Sequence, residues 1–154
     1  MGMTTLQPGD AAPDFTATIQ DGSEISLSDF RGKKLVLFFY PKDDTPGCTA
    51  AACSLRDSYA ELREQGYELV GVSPDPIKKH LKFIDKHDLP MPLIADEDHR
   101  VMDAYGVWGP KKFMGREYDG VHRTTFVIDG EGKIERVITK VKTKTHAAQL
   151  LETA

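Results

Sequence analysis

The sequence predicts an α/β fold in which helices flank a central mixed β-sheet. Residues 35–40 are a continuous apolar run that ends at Pro41, which is typical of a strand buried on both faces. Helical and strand patterns alternate after this run, and two apolar segments separated by residues 129–132 indicate a hairpin near the end. With 154 residues, the chain 1–154 is expected to form one domain.

The segments before and after the apolar run have clear turn and helix signals. Asp21-Gly22 lies between residues 16–19 and 25–27 and predicts an N-terminal hairpin. A helix is expected to begin at Pro46, because proline suits the first helical position, and to end at Gly66. Its apolar side chains recur at helical spacing: Ala52, Leu55, Tyr59 and Leu62.

The next strand, residues 69–72, is followed by a second helix. Asp75 is expected to cap this helix, and Pro76 fits its first turn. Its apolar face is expected to contain Ile77, Leu81 and Ile84. The later elements are expected to be a short strand (92–95), a short helix (98–105), a loop rich in Gly and aromatic residues (107–122), the hairpin strands (124–128 and 133–138) and a last helix (145–151). This order favours a thioredoxin-like fold.

Composition excludes several classes of function. The formal net charge is −4, which argues against a nucleic-acid-binding protein. No apolar stretch approaches the roughly 20 residues that a membrane helix requires, and no Lys or Arg precedes Arg31, as a targeting segment would need. We therefore expect a cytoplasmic protein, and a monomer because no long apolar edge is evident.

Cys48 has the surroundings of a reactive thiol. Thr45 can cap the predicted helix, so that Cys48 falls in the first turn, where free backbone N–H groups and the helix dipole favour an anion. Since only the thiolate is a nucleophile, this position raises reactivity. A buried structural cysteine is the alternative, but the Pro-Gly pair immediately before Cys48 argues against deep burial.

Cys53 follows five residues later. In a regular helix the two Cα atoms would be about 8.6 Å apart, whereas a disulfide rarely tolerates more than about 7 Å. Either the pair never bonds, or the first turns of the helix unwind. The spacing does not suit zinc, and the five histidines are scattered, so we expect neither a metal nor an organic cofactor.

The segment Pro41-x-x-x-Thr45-x-x-Cys48 resembles the active-site signature of the peroxiredoxins. Cys48 followed by Cys53 is similar to the pattern of the bacterioferritin comigratory protein, or peroxiredoxin Q, subfamily. The resemblance covers nearly the whole chain and includes two further stretches: residues 10–15 and 118–126.

The resemblance implies a role for each of these residues. Cys48 would be the peroxidatic cysteine and Cys53 the resolving cysteine, joined by an intramolecular disulfide after reaction. Thr45 would bind the peroxide, Arg123 would support the thiolate and polarise the O–O bond, and Pro41 would shield the site. The chemistry agrees, since a guanidinium and a hydroxyl can stabilise charge on the leaving oxygen.

The resemblance therefore implies an antioxidant enzyme that reduces hydrogen peroxide and organic hydroperoxides. Its reductant would be thioredoxin or a glutaredoxin-type protein. One position departs from the subfamily: Ala51 stands where many members have Glu, and that carboxylate would help to orient Arg123. Two interpretations are open for four residues of the predicted loop: Trp108, Phe113, Met114 and Tyr118. They form an apolar rim that contacts alkyl peroxides or a reductant, or they pack on the core.

Two other functions are compatible with a reactive cysteine on this fold. A redox sensor would use the disulfide only to change a surface, and it would not need the peroxide-activating pair Thr45 and Arg123. A thiol–disulfide isomerase is disfavoured because the chain has no Cys-x-x-Cys pair.

Overall fold

The computed structural model describes residues 4–151. This part of the chain contains nine strands: β1 (Thr16–Thr18), β2 (Glu24–Ser26), β3 (Lys34–Phe39), β4 (Tyr67–Ser73), β5 (Leu93–Ala95), β6 (Trp108–Phe113), β7 (Arg116–Val121), β8 (Thr124–Ile128) and β9 (Ile134–Ile138). It also contains five α-helices: α1 (Pro46–Asp57), α2 (Tyr59–Glu64), α3 (Ile77–His87), α4 (Arg100–Tyr105) and α5 (His146–Leu151). None of these helices has the length and apolar character that a bilayer crossing requires.

The central sheet has five strands in the order β5-β4-β3-β8-β9. Strand β3 lies in the middle, parallel to β4 and antiparallel to β8. A central strand is covered on both faces, which explains why its apolar run is continuous. The predicted mixed sheet with flanking helices is confirmed, and β1 pairs with β2 as the predicted N-terminal hairpin.

Strand β3 divides the core into two layers. Leu35, Leu37 and Phe39 pack in one cluster, whereas alternate residues such as Val36 and Phe38 pack in the other. The second cluster also receives buried residues from α1, α2, α3 and α5, and these include Cys48. The face of the sheet that carries most of the helices is therefore the face on which Cys48 lies.

The prediction of a loop over residues 107–122 is wrong. Strands β6 and β7 form an antiparallel hairpin there, and its turn places Met114 and Gly115 in left-handed backbone conformations, with φ of 51° and 78°. Most of β7 is exposed, so it lacks the apolar alternation that reveals a half-buried strand. Backbone hydrogen bonds between β6 and β7 hold the hairpin together, and the sequence pattern of apolar and polar side chains does not reveal such bonds.

The predicted helix from Pro46 to Gly66 is interrupted. Helix α1 ends at Asp57. The next residue, Ser58, has φ and ψ of −110° and 16°, outside the helical region, and α2 begins at Tyr59. The apolar spacing continues across this break, because Leu55 and Leu62 are both buried on the same face of the sheet. The helical spacing of apolar residues therefore predicted which residues are buried, but it did not predict the interruption between α1 and α2.

The predicted cap of α3 is wrong, and its predicted apolar face is right only in part, because Ile84 packs against the second core cluster whereas Leu81 does not. Pro76 is the residue at the N-cap position, and the carboxylate of Asp75 instead accepts hydrogen bonds from the backbone of Asp43 and the hydroxyl of Ser73. Leu81 is 49% exposed, while His80 is fully buried. A polar residue takes the inward position because the interior supplies it with hydrogen-bond partners.

Helix α5 begins with a buried histidine. The Nε2 atom of His146 lies 2.9 Å from the hydroxyl of Thr125, and Nδ1 lies 2.9 Å from the side-chain oxygen of Gln149. Burial lowers the pKa of His146 from its ordinary value of 6.5; the Gln149 contact opposes this shift, and the charges of Arg123 and Arg136 add to it. His146 is therefore held neutral in the folded protein.

We expect His146 to make the protein less stable in mild acid. Because its pKa is lower in the folded chain than in the unfolded chain, the free energy of unfolding should fall as pH drops through about 6.5 towards the folded-state pKa. Urea denaturation of wild type and His146→Gln at pH 7.5 and pH 5.5 measures this effect. The variant should lose less stability between the two pH values than wild type.

His99→Asn is a matched control, since His99 has a left-handed backbone, with φ of 62°, that asparagine tolerates. It should keep the acid sensitivity of wild type. Equal acid sensitivity in wild type and His146→Gln would contradict the prediction.

Candidate active site

Cys48 lies in the first turn of α1, as the sequence predicts. Thr45 is the N-cap residue, with extended φ and ψ of −93° and 154°. The first intrahelical hydrogen bond joins the N–H of Thr49 to the C=O of Thr45 at 2.8 Å. The N–H groups of Gly47 and Cys48 therefore have no intrahelical acceptor and favour a negative charge at this end of the helix.

Arg123 meets Cys48 from the position just before strand β8. Its Nη2 atom donates a hydrogen bond of 3.1 Å to the Cys48 sulfur. Strand β8 is antiparallel to β3 with Thr124 opposite Phe39, so Arg123 reaches the sheet edge at which the loop to α1 begins. A Cβ atom on Gly47 would lie 3.3 Å from Nη2. Glycine at this position thus lets the guanidinium approach the helix.

The Thr45 side chain does not cap α1, although Thr45 occupies the cap position. Its hydroxyl instead donates a hydrogen bond of 2.8 Å to the C=O of Lys42. Because this bond uses its one proton, the hydroxyl does not donate to a leaving oxygen as expected, but its oxygen can still accept a hydrogen bond. Pro41 is half-buried at the start of the same loop, so the two residues stand at opposite ends of a short segment between β3 and α1.

Cys48 is buried, with 2% of its surface exposed, and the expectation of shallow burial is wrong. Ala147 and Leu150 of α5 belong to the same apolar cluster as Cys48. The helix at the end of the chain thus helps to enclose the first turn of α1. The Pro-Gly pair could not indicate this cover, because the covering residues are about 100 positions away in sequence.

Cys53 is half-buried and lies in the same helix as Cys48, and both cysteines are free. Their Cα atoms are therefore separated by about 8.6 Å in regular helical geometry. A disulfide between them requires α1 to change, as the spacing predicts. Two contacts hold the far end of α1: the Ser54 hydroxyl accepts from the N–H of Ala147 at 3.1 Å, and Arg56 donates to the C=O of His87 at 2.8 Å.

Lys111 is a second cation at the site, and the sequence analysis missed it. Its Nζ atom donates to the C=O of Val121 at 2.8 Å. Burial lowers the pKa of Lys111, the charge of Arg123 adds to this shift, and Cys48 opposes it. Val121 is two residues before Arg123, so the hydrogen bond to its carbonyl holds the Lys111 amine near Arg123. Only the β6–β7 pairing brings it there, so no local motif signalled it.

The aromatic residues around the β6–β7 hairpin divide into two groups. Trp108 is partly buried and stacks on His99 with a centroid separation of 3.7 Å, so it packs against the core. Met114 and Tyr118 are exposed by 86% and 48%. The side chain of Phe113 lies outside the described part of the protein. The exposed pair keeps the rim interpretation open, whereas Trp108 fits the packing interpretation.

Ala51 is buried in α1, and within residues 4–151 no carboxylate forms an ion pair with Arg123. The contact between Arg123 and the sulfur is thus made without the Glu that many subfamily members have.

Within residues 4–151, no cluster of three or more His, Cys, Asp or Glu side chains could hold a metal ion.

A free thiol that lies at a helix N-terminus, accepts a hydrogen bond from an arginine and packs between a mixed sheet and α5 is the arrangement of a thiol-dependent peroxidase. Comparison with known proteins agrees. The AhpC/TSA family model matches residues 8–137. The chain belongs to this family, within its Bcp, or peroxiredoxin Q, group.

Two relatives and one solved structure show the extent of the similarity. Peroxiredoxin Bcp of Escherichia coli is 47% identical over 144 residues, which are 94% of this chain and 92% of the relative. Peroxiredoxin Bcp of Bacillus subtilis is 46% identical over 149 residues, or 97% and 95% of the two chains. The structure of the Xanthomonas campestris bacterioferritin comigratory protein, described for its alkyl peroxide reduction activity, has a TM-score of 0.85 and 32% identity over 96% of this chain and 94% of that one. The thioredoxin-like fold is confirmed.

We expect Arg123→Lys to slow peroxide reduction strongly. Lysine keeps the charge but loses the planar set of donors that can contact sulfur and peroxide together, so the loss should be about a hundredfold, as for an oxyanion-hole donor. Stopped-flow measurement of peroxide consumption gives the rate. Alkylation of Cys48 by iodoacetamide, which needs no O–O polarisation, should change much less.

Arg116→Lys, on the exposed strand β7, is the matched control and should react at the wild-type rate. If Arg123→Lys also consumed peroxide at that rate, Arg123 would have no part in the reaction.

Proposed function

We propose that Cys48 is the peroxidatic cysteine of this thiol-dependent peroxidase. The observation that carries the proposal is the 3.1 Å hydrogen bond from Arg123 to the Cys48 sulfur. The free N–H groups of Gly47 and Cys48 support it, because they add positive partial charge at the end of α1 where Cys48 lies. Cys53 lies further along α1 and has no comparable set of donors in the described residues.

The reaction begins when the Cys48 thiolate attacks one oxygen of a hydroperoxide. A sulfur–oxygen bond forms and the O–O bond breaks, so that sulfur becomes a sulfenic acid and the leaving oxygen takes a proton to become water or an alcohol. The Arg123 guanidinium stabilises the charge on the leaving oxygen. The Thr45 hydroxyl, already donating to Lys42, accepts the peroxide O–H, and Pro41 limits the access of water.

Cys53 then acts as the resolving cysteine. Its thiolate attacks the Cys48 sulfenic acid, a disulfide forms, and hydroxide leaves to be protonated to water. Thioredoxin or a glutaredoxin-type dithiol reduces the disulfide and restores both thiols. The half-buried position of Cys53 supports this role, because a resolving thiol must be reachable by the reductant once α1 has opened.

Organic hydroperoxides are proposed substrates beside hydrogen peroxide. The alkyl peroxide reduction described for the X. campestris relative supports this proposal, as do the exposed side chains of Met114 and Tyr118 on the hairpin that carries Lys111. We propose further that residues 1–154 act as one domain and as a cytoplasmic monomer. The sheet supports the single domain, since it draws strands from both halves of the chain.

Two serine substitutions test the assigned roles. Cys48→Ser should abolish peroxide consumption, because the nucleophile is gone. Cys53→Ser should still react once and accumulate the sulfenic acid, which a dimedone adduct reports by mass, but it should not turn over with thioredoxin. The reverse pattern would exchange the two roles, and peroxide consumption by Cys48→Ser at the wild-type rate would remove Cys48 from the reaction.

We also expect disulfide formation to unwind α1. The stretch that must open contains three alanines, residues 50–52, so its unwinding exposes little apolar surface. Amide hydrogen exchange should rise from Cys48 to Ser54 in the oxidised protein. It should rise at Ala147 as well, because the bond from its N–H to Ser54 is broken.

Amides of the central strand β3 serve as the internal control and should keep their protection in both redox states. Equal protection of residues 48–54 in the reduced and oxidised protein, with the disulfide confirmed by mass, would contradict the unwinding.

A further inference from the structure

Five buried polar residues form a network beneath the loop that joins β3 to α1. We refer to them as the buried polar network: Tyr40, Asp43, Ser73, Asp75 and His80. They come from the end of β3, the loop itself, the end of β4, the segment that follows it, and α3. Every buried side-chain nitrogen and oxygen in the described residues has a hydrogen-bond partner, so the network is fully satisfied.

Asp43 and His80 are the centre of this network. His80 is fully buried, and its Nδ1 atom lies 2.6 Å from Oδ2 of Asp43. Its Nε2 atom lies 2.9 Å from the C=O of Ile94. Because a carbonyl can only accept, Nε2 carries a hydrogen, and a further proton lies between Nδ1 and Oδ2. The other carboxylate oxygen of Asp43 accepts from the hydroxyl of Tyr40 at 2.6 Å.

Tyr40 remains a donor. Burial raises its pKa well above the ordinary value, and the negative charge of Asp43 raises it further. The backbone of the loop is also fixed, because the N–H of Asp43 donates to Oδ2 of Asp75 at 2.7 Å. That same oxygen accepts from the Ser73 hydroxyl at 2.8 Å. Asp43 is thus held by its side chain and its main chain together.

We propose that His80 is a positioning residue for peroxide reduction, acting through Asp43. One residue, Asp44, separates Asp43 from the N-cap residue Thr45, and its backbone is left-handed with φ of 61°. The conformation of the loop therefore sets where the Thr45 hydroxyl and the first turn of α1 lie. The inference rests on the assignment of Cys48 as the reacting thiol.

The buried polar network also holds the part of the protein that does not move when α1 opens. Its hydrogen bonds join β3, β4, α3 and β5, and none of them involves α1. Opening of α1 for disulfide formation therefore leaves these bonds intact. When the disulfide is reduced, the first turn can re-form from a loop that has kept its position.

Two substitutions of His80 separate positioning from general stability. In His80→Asn the amide nitrogen takes the place of Nδ1 and still donates to Asp43. In His80→Gln the amide reaches the Ile94 carbonyl instead, and Oδ2 of Asp43 loses its donor. Both variants lose part of the histidine, so both should be less stable in thermal unfolding.

The rates of two reactions of Cys48 provide the measurement. His80→Gln should reduce peroxide about tenfold more slowly than wild type, as expected for a displaced reacting group, while its alkylation by iodoacetamide changes little. His80→Asn should restore most of the peroxide rate. Equal peroxide rates in the two variants, or a parallel loss of alkylation and peroxide reduction, would overturn the positioning role.

Two further measurements keep the test decisive. Wild type and Cys48→Ser are measured in parallel, so failure of the assigned chemistry shows in them and failure of the positioning role shows only in the His80 variants. If His80→Gln does not fold, Tyr40→Phe removes one donor to Asp43 without changing the packing volume. It should slow peroxide reduction selectively, and an unchanged ratio of the two rates would refute the inference.

Discussion

The free N–H groups at the start of α1 and the guanidinium of Arg123 place positive charge around one sulfur atom. A buried thiolate is unstable without such partners, because burial removes the water that would otherwise solvate it. The remaining features of the site follow from this requirement. Strand β8 lies beside β3 and so brings Arg123 to the helix, and glycine at position 47 lets the guanidinium approach without a tight contact.

The same helical turn has two incompatible tasks in the proposed cycle. Its intact form supports the reactive sulfur, yet an intact helix keeps Cys48 and Cys53 too far apart to bond. The contacts of α1 allow the helix to open while the loop before it stays in place. Two of the four buried residues of α1 are alanines, and its far end is tied to α3 and α5 by single hydrogen bonds. The loop before it is fixed by the buried polar network.

Features that are local in sequence could be predicted, and those that depend on distant residues could not. The apolar run of β3 and the Thr-Pro start of α1 identified the sheet and the position of Cys48. Lys111 lies on β6 and was missed because its position depends on the hairpin with β7. That hairpin was not predicted, since the exposed strand β7 has no apolar alternation. His80 lies 37 positions from Asp43, and the predicted apolar face of its helix contained Leu81 instead, so no local pattern linked His80 to Asp43. Burial of Cys48 depends on α5, far along the chain.

The strand order of the sheet has a consequence for the chain during its synthesis. Strands β3, β4 and β5 are adjacent in both sequence and space, whereas β8 returns from late in the chain to the other side of β3. A ribosome that has released the chain only as far as α3 exposes Cys48 before Arg123 has emerged. The nascent protein therefore carries Cys48 without the hydrogen bond from Arg123, and that bond can form only when β8 closes the sheet.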